Sequence, residues 1–289
     1  MLTANIPRRR SPEVEERAHP VPKEAPNLKI CCLVKEVPDA AVEKRIDPET
    51  KRLDRSGEKN LNPFDTHAIE AAMQVKEGGA PVEEIVAVTM GPDSAVRALH
   101  KAVALGADRS VHLTDAALEG SDVAATGYAL AKLLEKESPD LVLLGQQSDD
   151  GECYTIGAVV ADHLKMPSLT QVIKMDVADG KATLERQAEY GYDTVEVELP
   201  AVISVGDAIN EPRYPSLKAI MGAKKKPLDT HAAGDVGIEP DRVGESGSRT
   251  AVLELKPPPA KEAGEIIEDE DTNETVEKIV AWLDERKLI

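Results

Sequence analysis

Residues 141–157 read LVLLGQQSDDGECYTIG. Leu141 to Leu144 make an uninterrupted apolar run, the pattern of a strand covered on both faces. Gly145 to Gly157 then supply a polar loop holding Asp149, Asp150, Glu152 and Cys153, and a helix is predicted over 155–164. A strand passing through a loop into a helix is half of a βαβ crossover, and the unit recurs upstream. Ile30 to Val34 is a second buried strand. A helix capped by Thr66 and reaching about Lys76 places Ile69, Ala72 and Met73 on one face. EIVAVTM (84–90) and SVHL (110–113) are further strands. A helix capped by Asp93 carries Val96, Leu99, His100 and Val103, and one beginning at Ser121 or Asp122 turns Leu130, Leu133 and Leu134 inward. Strands alternating with helices imply right-handed crossovers and a parallel, Rossmann-like α/β sheet.

After Ser168 the rhythm becomes strand after strand. LTQVIKMDV (169–177) and KATLERQ (181–187) meet through Asp179-Gly180, a type I′ hairpin signal, and VEVELPAVISV (195–205) is extended. Antiparallel strands added to the edge of the parallel sheet are expected. The passage 35–61 is polar and carries turn dipeptides at Asp47-Pro48 and Ser56-Gly57, the marks of a small β-excursion. Residues 1–27, with their prolines and the triplet Arg8 to Arg10, read as a flexible N-terminal arm. Residues 28–226 form the α/β core. Residues 227–289 read as an extended arm ending in one amphipathic helix, with Val276, Ile279, Val280 and Leu283 on a single stripe. That helix has too little core to stand alone and is expected to dock on its own domain or on another chain.

The 289 residues are 41% hydrophobic with one Phe and one Trp, so the core must be aliphatic. A net charge of −18 argues against nucleic-acid binding and anionic membrane surfaces. No apolar run approaches the roughly 18 residues that span a bilayer. Cys31 and Cys32 are adjacent in a strand and point to opposite faces, which suits buried thiols in a reducing compartment. A soluble cytoplasmic protein, bacterial or archaeal, is expected ahead of a mitochondrial matrix one.

Ligands of an open parallel sheet bind outside the carboxyl ends of its strands. That rule gathers Val34 to Val37, Asn62 to Asp65, Met90-Gly91-Pro92 and the 145–157 loop. No metal is predicted: the loop acids lack EF-hand spacing, and Cys153 has no Cys or His at zinc spacing. Nor is a catalytic residue predicted, since the nearest histidine to Cys153 is His163, which reads as a packed or surface side chain. A backbone site fits better. A helix N-terminus after a glycine-flanked loop presents N–H donors to a phosphate, Thr155 can add a hydroxyl, and Gly151 and Gly157 allow close approach. Without G-x-G-x-x-G or a Walker lysine, the inference is a nucleotide held without phosphoryl transfer. The carboxylates must then point away or accept bonds from a ribose or from the loop itself. In 209–226, Arg213, Tyr214, Leu217, Ile220 and Met221 precede Lys224, Lys225 and Lys226. This is either a solvated helix with a Lys-rich C-terminus or a partner-recognition segment.

VKEVPD (34–39), LNPFDTHAIEAA (61–72), VAVTMGP (86–92), KAVALGADRSVHL (101–113), GSDVAATGYALAKLL (120–134), the opening stretch and LPAVISVGDAINEPRYPSLKAIMGAKKKP (199–227) occur in one order. Together they resemble the β subunit of electron transfer flavoproteins over residues 28–289. The resemblance implies the adenine-nucleotide-binding fold of that family and a heterodimer with a homologous α subunit that holds the redox-active FAD. AMP is implied in the β subunit, as a structural group. The nucleotide contacts it implies are Leu33, Asn62, Pro63, Phe64, Asp65, Met90, Gln146, Gln147, Ser148, Asp149, Asp150, Gly151, Glu152, Cys153, Tyr154, Thr155, Ile156 and Gly157. The segment implied to recruit acyl-CoA or other flavin dehydrogenases is Arg213 to Lys226, anchored by Leu217, and electrons would pass on to a membrane quinone reductase. In bifurcating relatives, whose loop reads D-G-D-T-A-Q-V-G, a second FAD replaces AMP and NADH is bound. Here Asp150-Gly151-Glu152 keeps the acidic start, but Tyr154 replaces a small residue and Thr155 a glutamine. Ala40 stands where relatives often place an aromatic near the flavin, and 185–200 carries Gly191 alone where relatives have two glycines. AMP is therefore preferred to a second FAD. A stand-alone nucleotide-hydrolysing or sensing domain is the alternative of another class.

Overall fold

A computed structural model describes residues 27–255, 264, 266 and 271–289. The described residues divide into two compact units, one ending at Ala251 and one comprising Val252–Ile289. The arm expected over 1–27 lies almost wholly outside the described residues.

In chain order the elements are β1 (Leu28–Leu33), β2 (Glu36–Pro38), β3 (Ile46–Asp47), β4 (Arg52–Leu53), β5 (Lys59–Leu61), α1 (Pro63–Glu77), β6 (Val82–Met90), α2 (Val96–Leu105), β7 (Arg109–Leu113), α3 (Val123–Glu137), β8 (Leu141–Gly145) and α4 (Ile156–Leu164). There follow β9 (Ser168–Ala178), β10 (Lys181–Ala188), β11 (Gly191–Glu198), β12 (Ala201–Val205), α5 (Leu217–Ala223), β13 (Leu228–His231), α6 (Gly244–Gly247) and, in the second unit, α7 (Thr272–Glu285). The main sheet runs β11-β10-β9-β12-β8-β1-β6-β7-β13. From β9 to β13 every neighbouring pair is parallel, and β10 and β11 extend one edge antiparallel. The α/β sheet with antiparallel edge strands is thus as the alternating pattern requires. Asp179 (φ 51) and Gly180 (φ 76) both adopt positive φ in the β9–β10 turn, as a type I′ hairpin demands.

Two apolar layers flank the sheet. On one face Ile30, Cys32 and Leu143 meet Ala68, Ile69 and Ala72 of α1 and Leu99 of α2. On the other, Cys31, Val86 and Val142 meet Tyr128 and Leu133 of α3 and Val160 of α4. The adjacent cysteines face opposite layers, and burial pushes both thiols up, that of Cys31 to about 12. Each fully buried Leu or Ile here stabilises the sheet by about 2 kcal/mol.

Four sequence expectations change. First, α1 begins at Pro63, not near Thr66: proline sits comfortably at a first helical position, where no N–H is required. Asn62 is the N-cap, yet its amide does not cap the helix. Second, Asp93 does not cap α2; Asp93–Ala95 form a short 3₁₀ turn behind Pro92. Third, VEVELPAVISV splits between two places. The half-exposed β11 forms the edge, whereas β12, buried at every position, inserts between β8 and β9. Finally, no arm begins at residue 227. Leu228–His231 pair with β7 as the last strand of the sheet, and Ala233, Ile238 and Val243 join the core of the first unit. In the second unit Asp271 caps α7 through the Asn273 N–H.

Candidate functional site

The carboxyl ends of β1, β6 and β8 open into a cleft of about 420 Å³. Its walls are apolar, with Leu33, Val88, Met90, Leu130 and Leu144, and its rim is the loop after β8 together with the start of α3.

Two residues ahead of α1 and in its first turn build the frame. Asn62 is buried, donates its amide to the Gln147 carbonyl at 2.9 Å and accepts the Asp149 N–H at 3.0 Å. This is why it does not cap α1: its side chain pins the β8–α4 loop instead. Asp65 accepts the Lys35 N–H at 2.8 Å and the Gly145 N–H at 3.2 Å, so one carboxylate joins the ends of β1 and β8. Burial raises its carboxyl to about 7, against the pull of Asn62, the two N–H groups and the Lys35 ammonium. The close approach needs a glycine at 145, where a Cβ would lie 2.6 Å from the Phe64 backbone and 2.8 Å from Asp65 Oδ1.

The loop acids do not face the cleft. Burial would raise the Asp150 carboxyl, but the Lys35 charge and hydrogen bonds from Lys35, Arg55 and Ser148 outweigh it and hold it at about 2. Lys35 Nζ is 2.7 Å from Oδ1, and Arg55 Nε and Nη2 are 2.9 and 2.6 Å from Oδ2. Asp149 receives Lys44 Nζ on Oδ2 at 2.9 Å. The excursion 35–61 therefore supplies the counter-charges, which leaves the loop backbone and the helix N-terminus for a ligand. Glu152 (φ 45) and Tyr154 (φ 50) take left-handed backbone, rare for non-glycine residues and a mark of a loop shaped for a purpose. The side-chain carbonyl of Gln147 is buried and has no hydrogen-bond partner among the described residues.

Of the anticipated nucleotide contacts, Leu33, Asn62, Asp65 and Met90 line the cleft, as do Gln147, Ser148, Gly151, Cys153, Tyr154 and Ile156. Pro63 and Phe64 stand behind it in the first turn of α1. Gln146 binds back to Val205 through its N–H, and Asp149 and Asp150 turn to the excursion. Glu152 and Thr155 are exposed, and Thr155 Oγ1 lies 3.1 Å from Cys153 Sγ. Gly157 is buried against Leu144, so its role is helix–strand packing and not approach to a ligand. The sequence reading gathered Lys35 with the strand ends but gave it no role, and it missed Asp122 and Thr126. An N-cap aspartate at the head of α3 was the available sign of the latter two; Asp122 caps Ala125 and also accepts the N–H groups of Arg249 and Thr250. Among the described residues no three His, Cys, Asp or Glu side chains gather as a metal site, and no helix is long and apolar enough to cross a membrane.

The second segment lies apart from the cleft. Tyr214, Leu217 and Met221 are 96%, 79% and 77% exposed, with Ile220, Lys224 and Lys225 exposed beside them. Ser216 caps α5, whose buried Ala223 anchors it to the core. Arg213 is engaged within the chain by Glu70 and Glu77, and Lys226 Nζ donates to the Ala107 carbonyl at 2.8 Å.

A family model described as "Electron transfer flavoprotein domain" matches residues 50–236. The electron transfer flavoprotein subunit beta of Mycobacterium tuberculosis is 41% identical over 265 residues, 90% of this chain and 99% of that protein. The chain belongs to the electron transfer flavoprotein β-subunit family. Other relatives include the electron transfer flavoprotein subunit beta of Megasphaera elsdenii, 36% identical over 272 residues, 91% of this chain and 100% of that one. The caffeyl-CoA reductase-Etf complex subunit CarD of Acetobacterium woodii is 38% identical over 264 residues, with the same coverage of both chains. Membership in an electron transfer flavoprotein family makes this an electron-transport flavoprotein component. Within that family the cleft, the paired loop acids and the exposed face of α5 are the features of this chain to be explained.

Proposed function

We propose that this chain is the β subunit of a heterodimeric electron transfer flavoprotein that holds AMP in the cleft as a structural group. It would help enclose an FAD carried mainly by the α subunit and present α5 to acyl-CoA or other flavin dehydrogenases, whose electrons pass toward a membrane quinone reductase. The carrying observation is the pairing of Asp149 and Asp150 with Lys44, Lys35 and Arg55, which offsets the charge of these two loop acids beside a nucleotide-sized cleft. The residues fit the nucleotide. A cavity of about 420 Å³ lies within the range of small-molecule sites, and its apolar walls suit a base. The unpartnered Gln147 carbonyl can accept a hydrogen bond from the ligand, and the first-turn N–H groups of α4 can receive a phosphate. FAD, when bound, supplies the redox chemistry. This chain's own part is to bind, to exclude water and to dock partners, with no catalytic residue assigned.

The similarity to a caffeyl-CoA reductase-Etf complex subunit favours one second reading, a bifurcating β subunit with its own FAD and an NADH site. Denaturing the purified heterodimer and quantifying what it releases separates the two. One FAD and one AMP are expected; two FAD and no AMP would replace the first reading with the second. For α5, Leu217→Ala should slow electron transfer from the dehydrogenase severalfold without loss of flavin, because an exposed apolar anchor contributes to docking and not to folding. Unchanged kinetics would remove α5 from the docking surface.

A further inference from the structure

We infer that Arg213 serves docking from inside the chain: Glu70 and Glu77 of α1 clasp its guanidinium and so fix the course on which Tyr214 and Leu217 meet a partner. This rests on the reading of α5 as a docking surface. Residues 211–216, which lead into α5, have neither helix nor strand to hold them. Pro212 and Pro215 restrict φ at two positions, and the other torsions need further ties. They come from α1. Its Ala68, Ile69 and Ala72 pack on the sheet, while His67, Glu70 and Glu77 follow at helical spacing on the opposite face.

The first tie is Asn210, whose amide donates to the His67 carbonyl at 3.0 Å and whose own carbonyl oxygen lies 3.1 Å from His67 Nδ1. The second is Arg213. Its backbone N–H donates to Glu70 Oε2 at 3.3 Å, and Nε and Nη2 reach the two oxygens of that carboxylate at 2.7 and 3.0 Å. Nη1 and Nη2 reach those of Glu77 at 2.7 and 2.9 Å. Four of the five guanidinium donors are thus engaged within the chain. An arginine so held offers a partner little directly. What it offers is order, since a segment already fixed in its docking course loses less freedom on binding. Tyr214 and Leu217 stay exposed beside it. Glu70 and Glu77 are therefore positioning residues, acting through Arg213.

Charge alone predicts the reverse. Arg213 with its two glutamates carries one net negative charge, which opposes Lys224 and Lys225 in attracting an acidic partner. The test is reduction of the holo heterodimer by an acyl-CoA dehydrogenase and its substrate, with KM for the heterodimer and kcat read separately. Glu77 is 54% exposed, so E77Q keeps the fold while removing the charge and one acceptor. E77Q should raise KM about threefold, the scale of one exposed ion pair, with kcat and flavin content unchanged. E70Q/E77Q should raise it about tenfold, because Glu70 is the more buried partner. If Arg213 meets the partner directly, or if charge alone decides, both variants free a cation or remove a repelling acid, and KM falls. A lowered or unchanged KM in E77Q overturns the inference. Amide hydrogen exchange over residues 210–217 should quicken in E77Q while that of the sheet stays as in wild type; unchanged exchange over the segment overturns it equally. Should the double variant fail to fold, E77Q decides alone. L217A in the same assay separates the two possible failures. A KM raised by L217A but not by E77Q removes the clasp and keeps the docking surface; a KM unchanged in L217A removes the docking surface and this inference with it.

Discussion

At the amino-terminal end of the sheet, Arg109 of β7 reaches Glu84 of β6, Glu137 of α3 and Asp229 of β13. At the carboxyl end, Asp150 reaches Lys35 and Arg55. Each cluster holds one charge between partners of opposite sign. They differ in what carries them. The Arg109 cluster joins regular elements and closes against the core, with Arg109 and Glu137 side chains 15% and 10% exposed. The Asp150 cluster joins an irregular loop to a small excursion, its cations half in water, and stands beside an open cleft. A charge cluster on strands and helices ties a fold together, whereas one on loops holds a binding surface in shape and fixes its charge.

The largest expected effect breaks the first cluster. Arg109→Met leaves Glu84 without its counter-charge and Glu137 with Lys29 alone, 3.6 Å away, and should cost about 3 kcal/mol. Urea unfolding would read it as a lower midpoint, while nucleotide per folded heterodimer stays unchanged. Loss of nucleotide at the same time would mean that the two ends are coupled. Next comes Gly145→Ala, at the join of β8 and α1. The added methyl meets the Phe64 backbone and Asp65 Oδ1, an overpacking expected to cost about 2 kcal/mol. Here stability and nucleotide content should fall together, because the same contact seats α1 and opens the cleft.

Much of this architecture is legible in the chain. Continuous apolar runs at Ile30–Leu33, Ile85–Val88 and Leu141–Leu144 announce doubly covered strands, and Asp179-Gly180 announces its hairpin, because those signals are local. Sheet order is not local, so the insertion of β12 between β8 and β9 could not be read from where AVISV falls in the chain. The ion partners of the loop are likewise tertiary. Asp150 is separated from Lys35 by 115 residues and from Arg55 by 95. Composition gave no sign of them, because the seven lysines and arginines of 35–61 are matched by seven aspartates and glutamates. Asn62-Pro63 is itself a legible helix start, since proline favours the first helical position.

The middle of the scale belongs to Asp65, which joins the carboxyl ends of β1 and β8. Its folded-state carboxyl titrates near 7, against an ordinary value of 3.8. Between those limits the folded state holds a proton that the unfolded chain has released. This group's contribution to stability therefore falls as pH rises from about 4 to about 7, and is constant outside that window. The slope is at most about 1.4 kcal/mol per pH unit. Asp65→Asn cannot titrate, so the difference in unfolding free energy between wild type and variant should change between pH 5 and 7 and level off by pH 8. A difference independent of pH would show that the two N–H donors keep Asp65 ionised throughout.

The smallest effect tests how far the excursion acts as one piece with the loop. Lys44 Nζ touches Asp149 twice, at 2.9 Å on Oδ2 and 2.5 Å on the carbonyl, but the two side chains are 37% and 28% exposed. Such a pair gains little, because water and salt screen it and a long side chain must be ordered to form it. Lys44→Ala should alter unfolding by no more than about 0.5 kcal/mol. Nucleotide release should quicken by roughly twofold at low salt, the equivalent of a few tenths of a kcal/mol, and the difference should vanish as salt is raised. A loss above about 2 kcal/mol, or outright release of nucleotide, would mean that the contacts of Lys35, Lys44 and Arg55 fold as one cooperative unit. The carboxyl end of the sheet would then be held by a network as integral as that of Arg109, and the contrast between the two ends would lie in their exposure alone.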